Sequence, residues 1–176
     1  MEGLSKKQLL SLLAAAKANS EQDWLMMLVH FWHGARNSEI IHLKRENVQG
    51  NHLVFERLKG SERCEQELIE HKNPLLSERQ PVIELALNTP YGECLFKMCR
   101  FTYLRHMKRH ALAVGIPAHL ARTTVLKHTL GTLMIENTPI NKVQRRMGHK
   151  NISSTAKYMK VSESQVDSLV KGAVGL

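Results

Sequence analysis

The chain has few of the residues that mark secreted, metal-binding or membrane-spanning proteins. Its 176 residues include three cysteines, Cys64, Cys94 and Cys99. An odd number without metal-ligand spacing predicts reduced thiols, not a disulfide framework or a metal site. No apolar run is long enough to cross a bilayer, and the N-terminus lacks a signal-peptide pattern. We therefore predict a cytoplasmic protein with no membrane partner.

Acidic residues are also scarce, with 16 Asp and Glu against 25 Lys and Arg, which gives a formal net charge of +9. A surplus of this size indicates a polyanionic partner, namely DNA, RNA or an anionic membrane surface. The basic residues are spread over several segments, which favours a folded groove over a disordered arm. A hydrophobic fraction of 43% and this length fit a single domain with its own core.

Apolar residues at helical spacing predict most of the chain to be helical. The predicted helices are Leu4–Asn19, Ser20–Trp32, Val82–Leu87, Leu95–Val114, Thr123 or Thr124 to Glu136, Ile140–Met147, a short helix from Ser153 or Ser154 that carries Tyr158, and a last one from Val161. Between Glu46 and Ile69, alternating apolar residues and turn signals predict antiparallel strands with Lys59 at a hairpin tip. The predicted fold class is mainly α with a small antiparallel β-sheet.

Two stretches carry candidate catalytic residues. In the first, Gly34 follows an apolar helix as a C-cap and either Asn37 or Ser38 begins the next helix, so Arg36 lies in a tight turn. An arginine in this place could simply pair on the surface with Glu39 or Glu46.

The second stretch runs from Thr124 to Tyr158. It holds the basic pair Lys127-His128, an apolar segment and the sequence Met147-Gly148-His149, and Tyr158 follows nine residues after His149. A lone histidine after glycine could be a helix-end contact, and a lone tyrosine could be a half-buried surface residue. Their order and spacing are what favour a functional interpretation.

Together the two stretches resemble the active site of the tyrosine recombinases, the phage-integrase family. That family has a first-arginine motif T-G-x-R-x-S-E-L, then H-x-x-R-H-T, a helix, L-G-H and a nucleophilic tyrosine nine residues on. Two positions depart from this pattern, because Thr124 stands where the first histidine is usual and Lys127 where the second arginine is usual. The basic pair is also one residue closer to Gly-His, which a deletion near residues 137–139 explains.

The resemblance implies DNA strand cleavage and rejoining by transesterification, without a metal or cofactor. Such chemistry needs a nucleophile, cations around the phosphate and an acid for the leaving oxygen. The resemblance implies that Tyr158 is the nucleophile, through a 3′-phosphotyrosyl link, and that Arg36 binds the nonbridging oxygens with its planar fork. It implies Lys59 as general acid, with Arg57 and Arg63 as alternatives, and His149 as a hydrogen-bond donor to the phosphate. Lys127 and Thr124 take the places of the second arginine and the first histidine.

The two departures predict a weakened or rearranged site. Lysine cannot bind a phosphate with a planar fork, and threonine cannot act as a base near neutral pH. Loss of one good donor in such a site typically lowers the rate roughly 100- to 1,000-fold. Spare candidates for the missing groups are His128, next in the chain, and His119 with Arg122.

We therefore expect residues 1–176 to form one catalytic domain of a prokaryotic or phage-encoded recombinase, acting on host DNA in the cytoplasm. The family's N-terminal core-binding domain is absent from the sequence, so the chain is either a piece of a longer protein or a stand-alone domain. Expected partners are double-stranded DNA and further copies of the chain, as dimers or tetramers on DNA. One alternative is an inactive DNA-binding relative that acts as a regulator. Another is a basic helical RNA- or protein-interaction module unrelated to recombinases.

Overall fold

The computed structural model describes residues 2–55 and 63–159, which form a helical body with a small sheet at one side. The helices are α1 (Lys6–Asn19), α2 (Glu21–His33), α3 (Asn37–Ile41), α4 (Arg79–Leu87), α5 (Arg100–Ala113), α6 (Thr124–Ile135), α7 (Ile140–Met147) and α8 (Ser153–Ala156), and the strands are β1 (Val48–Gln49), β2 (His52–Phe55) and β3 (Cys64–Glu67). Within these two ranges no helix combines the length and apolar character needed to cross a bilayer. The predicted fold class, mainly α with a small antiparallel sheet, is confirmed.

Local capping sets the bounds of the first two helices. The Ser5 hydroxyl accepts a hydrogen bond from the Gln8 backbone N–H, and the Gln8 side chain accepts one from Ser5 N, which completes a capping box at α1. The Ser20 hydroxyl accepts from Asp23 N at the start of α2. Gly34 then ends α2 in the left-handed region, with φ of 52°. These starts and stops agree with the sequence predictions.

The core is organised around α2, in which every residue from Asp23 to Phe31 is buried. α2 packs against α1 on one side and α6 on another. Full burial of an apolar side chain such as Leu28 or Met27 stabilises the fold by about 1.5 to 3 kcal/mol. The same packing holds the end of α2, and with it the turn at Arg36, against α6.

The three strands form one antiparallel sheet in the order β1-β2-β3. Val48 pairs with Leu53, and Phe55 pairs with Cys64. Leu53, Val54 and Phe55 are buried, so β2 anchors the sheet on the helical core. The residues between β2 and β3 that carry Lys59 lie outside the described residues, and so does the helix predicted from Val161.

Three predicted helix bounds were wrong. α8 ends at Ala156, so the short helix expected to carry Tyr158 stops before it. The helix expected from Leu95 begins only at Arg100. Cys94 and Leu95 instead pair with Lys44 and Leu43, with Leu95 N donating to Leu43 O at 2.8 Å. α4 begins at Arg79, ahead of Pro81, because a proline in the first helical turn lacks an N–H that has no partner there anyway. In addition, Arg45–Asn47 forms a 3-10 turn where a strand was expected.

Candidate active site

Arg36 is the N-cap residue of α3 and is held by one buried carboxylate. Its Nη1 lies 2.8 Å from Glu39 Oε1, and its backbone N–H donates to Glu39 Oε2 at 2.7 Å. The Glu39 side chain is 2% exposed while that of Arg36 is 36% exposed. The Glu39 carboxylate therefore fixes one edge of the guanidinium from the protein interior, and the rest of the side chain still reaches solvent.

The turn before Arg36 packs directly against the end of α7. A Cβ added at Gly34 would lie 2.7 Å from Met147 Sδ and 3.2 Å from Leu130 Cδ2. Glycine is required at this position for its left-handed backbone, and a side chain here would also force Met147 to shift. Arg146 strengthens the same junction, since its Nε and Nη2 donate to Trp32 O at 3.0 and 2.8 Å.

Lys127, on α6, joins the two turns that carry the other candidate residues. Its Nζ donates to Gly34 O at 2.6 Å and to Met147 O at 2.8 Å, and the residue is 9% exposed. Gly34 precedes Arg36 by two residues, and Met147 precedes His149 by two. One buried ammonium therefore sets the distance between the arginine turn and the histidine turn.

His149 follows the glycine that ends α7. Gly148 has φ of 62°, which turns the chain so that His149 can face α8. His149 Nδ1 lies 2.9 Å from Thr155 Oγ1, and Thr155 is fully buried. The imidazole lies parallel to the ring of Tyr158, with 8° between the planes and 6.3 Å between the centroids.

Tyr158 lies just after α8 and is docked against α6 of its own chain, 3% exposed. Its hydroxyl oxygen is 2.9 Å from His128 Nδ1. A Cβ added at Gly131 would come within 2.7 to 2.9 Å of three atoms of the tyrosine ring, so only glycine leaves room for this docking. Burial raises the pKa of Tyr158 to about 12.

Burial and the positive charges of Arg122 and Lys127 lower the pKa of His128 to about 4. The half-buried imidazole is therefore neutral at physiological pH, and its ring carries one N–H and one acceptor nitrogen. Because Tyr158 keeps its proton at that pH, the pair consists of a neutral phenol and a neutral imidazole.

The remaining sequence candidates lie at the edge of this arrangement or beyond it. Thr124 is exposed at the first position of α6. Lys59 and its alternative Arg57 fall outside the described residues. Arg63, the other alternative, lines an open cleft of about 520 Å³ together with Glu39.

Sequence reasoning gave His128 too small a role and missed two supporting residues. His128 was only a spare candidate, although it makes the hydrogen bond to Tyr158. Gly131 and Thr155 were not singled out. The spacing of His128 and Gly131, three residues apart on a helix, places both on one face and was a usable signal. The position of Tyr158 against that face depends on how α8 packs and has no local signal.

Comparison with known proteins also identifies relatives among the recombinases. Residues 2–165 match the family model described as the phage integrase family. The chain is 29% identical over 164 residues to tyrosine recombinase XerD of Staphylococcus aureus, an alignment that covers 85% of this chain and 54% of that protein. The chain thus spans about half the length of the curated relatives that it matches.

Solved structures share the fold. The catalytic domain of bacteriophage HP1 integrase superposes with a TM-score of 0.68 and 21% identity, covering 97% of this chain and 94% of that one. A lambda integrase tetramer bound to a Holliday junction gives a TM-score of 0.72 and 16% identity, covering 90% of this chain and 48% of that one. Likeness at this level of identity establishes the fold, and one fold can host different functions.

Proposed function

The chain belongs to the phage integrase family, and from this premise we propose that residues 1–176 form one catalytic domain of a tyrosine-type site-specific DNA recombinase. It cuts a DNA strand by transesterification and rejoins it to a new partner. The observation that carries the proposal is the docking of Tyr158 between His128 and His149, on the helix whose Lys127 is tied to the arginine turn.

Tyr158 is the nucleophile of the proposed reaction. Its hydroxyl oxygen attacks a phosphorus atom of DNA and forms a 3′-phosphotyrosyl link, while the 5′-oxygen of the next nucleotide leaves. The link keeps the energy of the broken phosphodiester, so the reverse attack by a 5′-hydroxyl can rejoin a strand without a nucleotide cofactor.

Arg36, Lys127 and His149 stabilise the charge that builds on the nonbridging oxygens. Arg36 is suited to this because its guanidinium is oriented by Glu39 and remains accessible to solvent. Lys127 contributes a positive charge from within the fold and keeps the other two turns in register. His149 donates from a ring that Thr155 holds in place.

The general acid for the leaving oxygen is Lys59, which follows from the family resemblance. Thr124 occupies the place of the family's first histidine at the start of α6, where its exposed hydroxyl can donate one hydrogen bond to the phosphate. Threonine cannot accept a proton near neutral pH, so the proton of the attacking Tyr158 goes to another group.

Double-stranded DNA is the proposed partner. α5 presents exposed cations at Arg100, Arg105, Lys108 and Arg109, with the exposed side chains of Phe101 and Leu112 near the two ends of the same helix. Long-range attraction between such a face and the phosphate backbone dominates the binding of this kind of protein. The net charge of +9 points the same way.

We further propose that copies of the chain associate on DNA as dimers or tetramers, since one rejoining event needs more than one cleaved strand. The lambda integrase neighbour is a tetramer on a Holliday junction. The proposed setting is the bacterial cytoplasm, on host DNA, with the gene carried by a bacterium or a phage. The staphylococcal relatives support this setting.

The decisive test is covalent trapping. A pool of random-sequence duplexes, each carrying one sulfur in place of the bridging 5′-oxygen, is incubated with the full chain. Attack by tyrosine releases a 5′-thiol that rejoins poorly, so the protein–DNA adduct accumulates and its sequence can be read. We expect an adduct with the wild-type chain, located at Tyr158 by mass spectrometry of the digested protein.

Tyr158→Phe is the matched control, because it keeps the ring and removes only the hydroxyl. It should bind the same DNA and form no adduct. An adduct that persists in this variant would move the nucleophile to another residue. DNA binding without any wild-type adduct would support the inactive DNA-binding relative, which the recombinase relatives do not favour.

A further inference from the structure

Thr124 stands where the family's first histidine is usual, and threonine cannot accept a proton near neutral pH. The structure places an imidazole, His128, one turn further along the same helix. His128 faces Tyr158, with Nδ1 2.9 Å from the hydroxyl oxygen, a distance typical of a hydrogen bond. The two rings are 5.9 Å apart at 49°. The contact is therefore tilted and runs through the ring nitrogen, and it differs from the parallel packing of His149 on the same tyrosine.

We propose that His128 is a further catalytic residue, which accepts the proton of the Tyr158 hydroxyl as that oxygen attacks phosphorus and returns it when the strand is rejoined. The inference rests on the proposed recombinase function and assigns the general base of the same site. It makes the unusual Thr124 compatible with an active enzyme.

The surroundings of the pair are built for this contact. Gly131 lies three residues after His128 on α6, and any side chain there would collide with the ring of Tyr158. The missing side chain lets the tyrosine lie flat on the helix, which brings its hydroxyl within reach of the imidazole. Thr155 and His149 fix the segment that leads to Tyr158 from the other side.

Before attack, the protonation states leave a protonated phenol facing a neutral imidazole. The low pKa of His128 leaves the imidazole neutral, so the tautomer with its proton on Nε2 presents Nδ1 as an acceptor. The high pKa of Tyr158 keeps the hydroxyl protonated until the reaction begins. Transfer before attack is therefore disfavoured, and the proton moves as the new O–P bond makes the phenol oxygen acidic. The incoming phosphate, being negative, raises the pKa of His128 towards the range of an effective base.

The step balances without any further reactant. The bond from Tyr158 Oη to phosphorus forms and the bond from phosphorus to the 5′-oxygen breaks. The tyrosine proton goes to His128 Nδ1, which becomes an imidazolium, and the leaving oxygen takes a proton from the general acid. In rejoining, the imidazolium gives its proton back to the departing Tyr158 oxygen.

The test compares His128→Asn and His128→Ala with wild type in single-turnover trapping on the sulfur-containing DNA, at saturating protein. The asparagine amide oxygen takes the place of Nδ1, so it keeps the hydrogen bond but cannot hold the proton. Because the thiol leaves without protonation, the assay reports the nucleophile's step and not the general acid. We expect adduct formation to slow roughly 100- to 10,000-fold in both variants, with DNA binding and thermal stability of His128→Asn unchanged.

Chemical rescue separates proton acceptance from simple positioning. Difluorotyrosine at position 158 has a more acidic hydroxyl and needs less help from a base. It should restore much of the rate in the His128→Asn chain and change the wild-type rate little. A positional defect would not respond to the acidity of the phenol.

The outcomes are distinguishable. A His128→Asn chain that forms adduct as fast as wild type overturns the assignment of His128 and leaves the recombinase proposal standing. A slowed variant that difluorotyrosine does not rescue makes His128 a positioning residue only, which also overturns proton acceptance. Failure of the wild-type chain to form any adduct refutes the proposed function, and this inference with it.

Discussion

The ammonium of Lys127 lies 2.6 Å from the carbonyl oxygen of Gly34, although the two residues are 93 positions apart in the chain. The same ammonium reaches Met147 O at 2.8 Å. Hydrogen bonds from a charged donor are stronger than those between neutral groups. This one side chain therefore links α6 to the turns that present Arg36 and His149, which gives the unusual lysine a structural reason as well as an electrostatic one.

Replacing Lys127 with methionine should damage both stability and catalysis. Methionine keeps the length of the side chain and leaves two buried carbonyls without their donor, at about 1 to 3 kcal/mol for each unsatisfied group. We expect a lower free energy of unfolding in urea and loss of most adduct formation, with salt-dependent DNA binding nearly intact. Lys127→Arg can still donate to both carbonyls and should keep most of the activity.

Lys142→Met is the matched control for this prediction, because it removes an exposed lysine from α7. It should leave unfolding and adduct formation unchanged. If Lys127→Met instead weakened DNA binding and cleavage by the same factor at constant stability, Lys127 would be a groove residue that contacts DNA. Arg122 would then be the next candidate for the place of the family's second arginine.

DNA binding should depend steeply on salt through the exposed face of α5. Removing one cation that neutralises a DNA phosphate reduces the slope of log affinity against log salt by about 0.9. The double change Arg105→Gln and Lys108→Gln should therefore lower that slope by about 1 to 2 on a random-sequence duplex. Titrations at several salt concentrations measure it.

The control for α5 removes the same charge elsewhere. Lys17→Gln and Lys72→Gln take two cations from α1 and from the loop after β3, and together they should alter the slope less than the α5 pair. Equal effects from the two pairs would mean that the attraction is spread over the whole surface and that α5 is not its main contact.

Acid should destabilise the fold through His30, which is 1% exposed on α2 with Nδ1 2.9 Å from the Tyr103 hydroxyl. Burial, with a smaller contribution from the charge of Lys127, lowers the pKa of His30 from 6.5 to about 3. Between these values the unfolded chain binds a proton that the folded chain does not. The contribution of neutral His30 to the free energy of unfolding is therefore complete above pH 6.5. It is lost as the pH falls towards 3, by up to about 4 to 5 kcal/mol.

The double variant His30→Phe with Tyr103→Phe should lose this part of the pH dependence, because it removes the titrating group and its partner together. Urea unfolding at several pH values between about 7 and about 4 measures the slope. His119→Gln, which removes an exposed imidazole, should keep the wild-type slope. An unchanged slope in the double variant would show that His30 is protonated in the folded protein.

Helix bounds were predictable where they depend on neighbours in the chain. Ser5, Ser20 and Gly34 act within four residues of the ends that they cap, so the sequence shows them directly. The start of α5 was mispredicted for the opposite reason. Leu95 pairs with the distant Leu43, and a local pattern cannot report such a pairing.

The residue types of the candidate site, their order and the nine-residue spacing from His149 to Tyr158 follow from the sequence by itself, and so does the membership of the mainly helical fold class. Only the tertiary structure decided which groups touch. The contacts of Lys127 with Gly34 and of His128 with Tyr158 join residues 93 and 30 positions apart. Such pairs form through the packing of α2, α6 and α7 and the glycines at 34 and 131 that permit it, and no property of the residues in isolation specifies them.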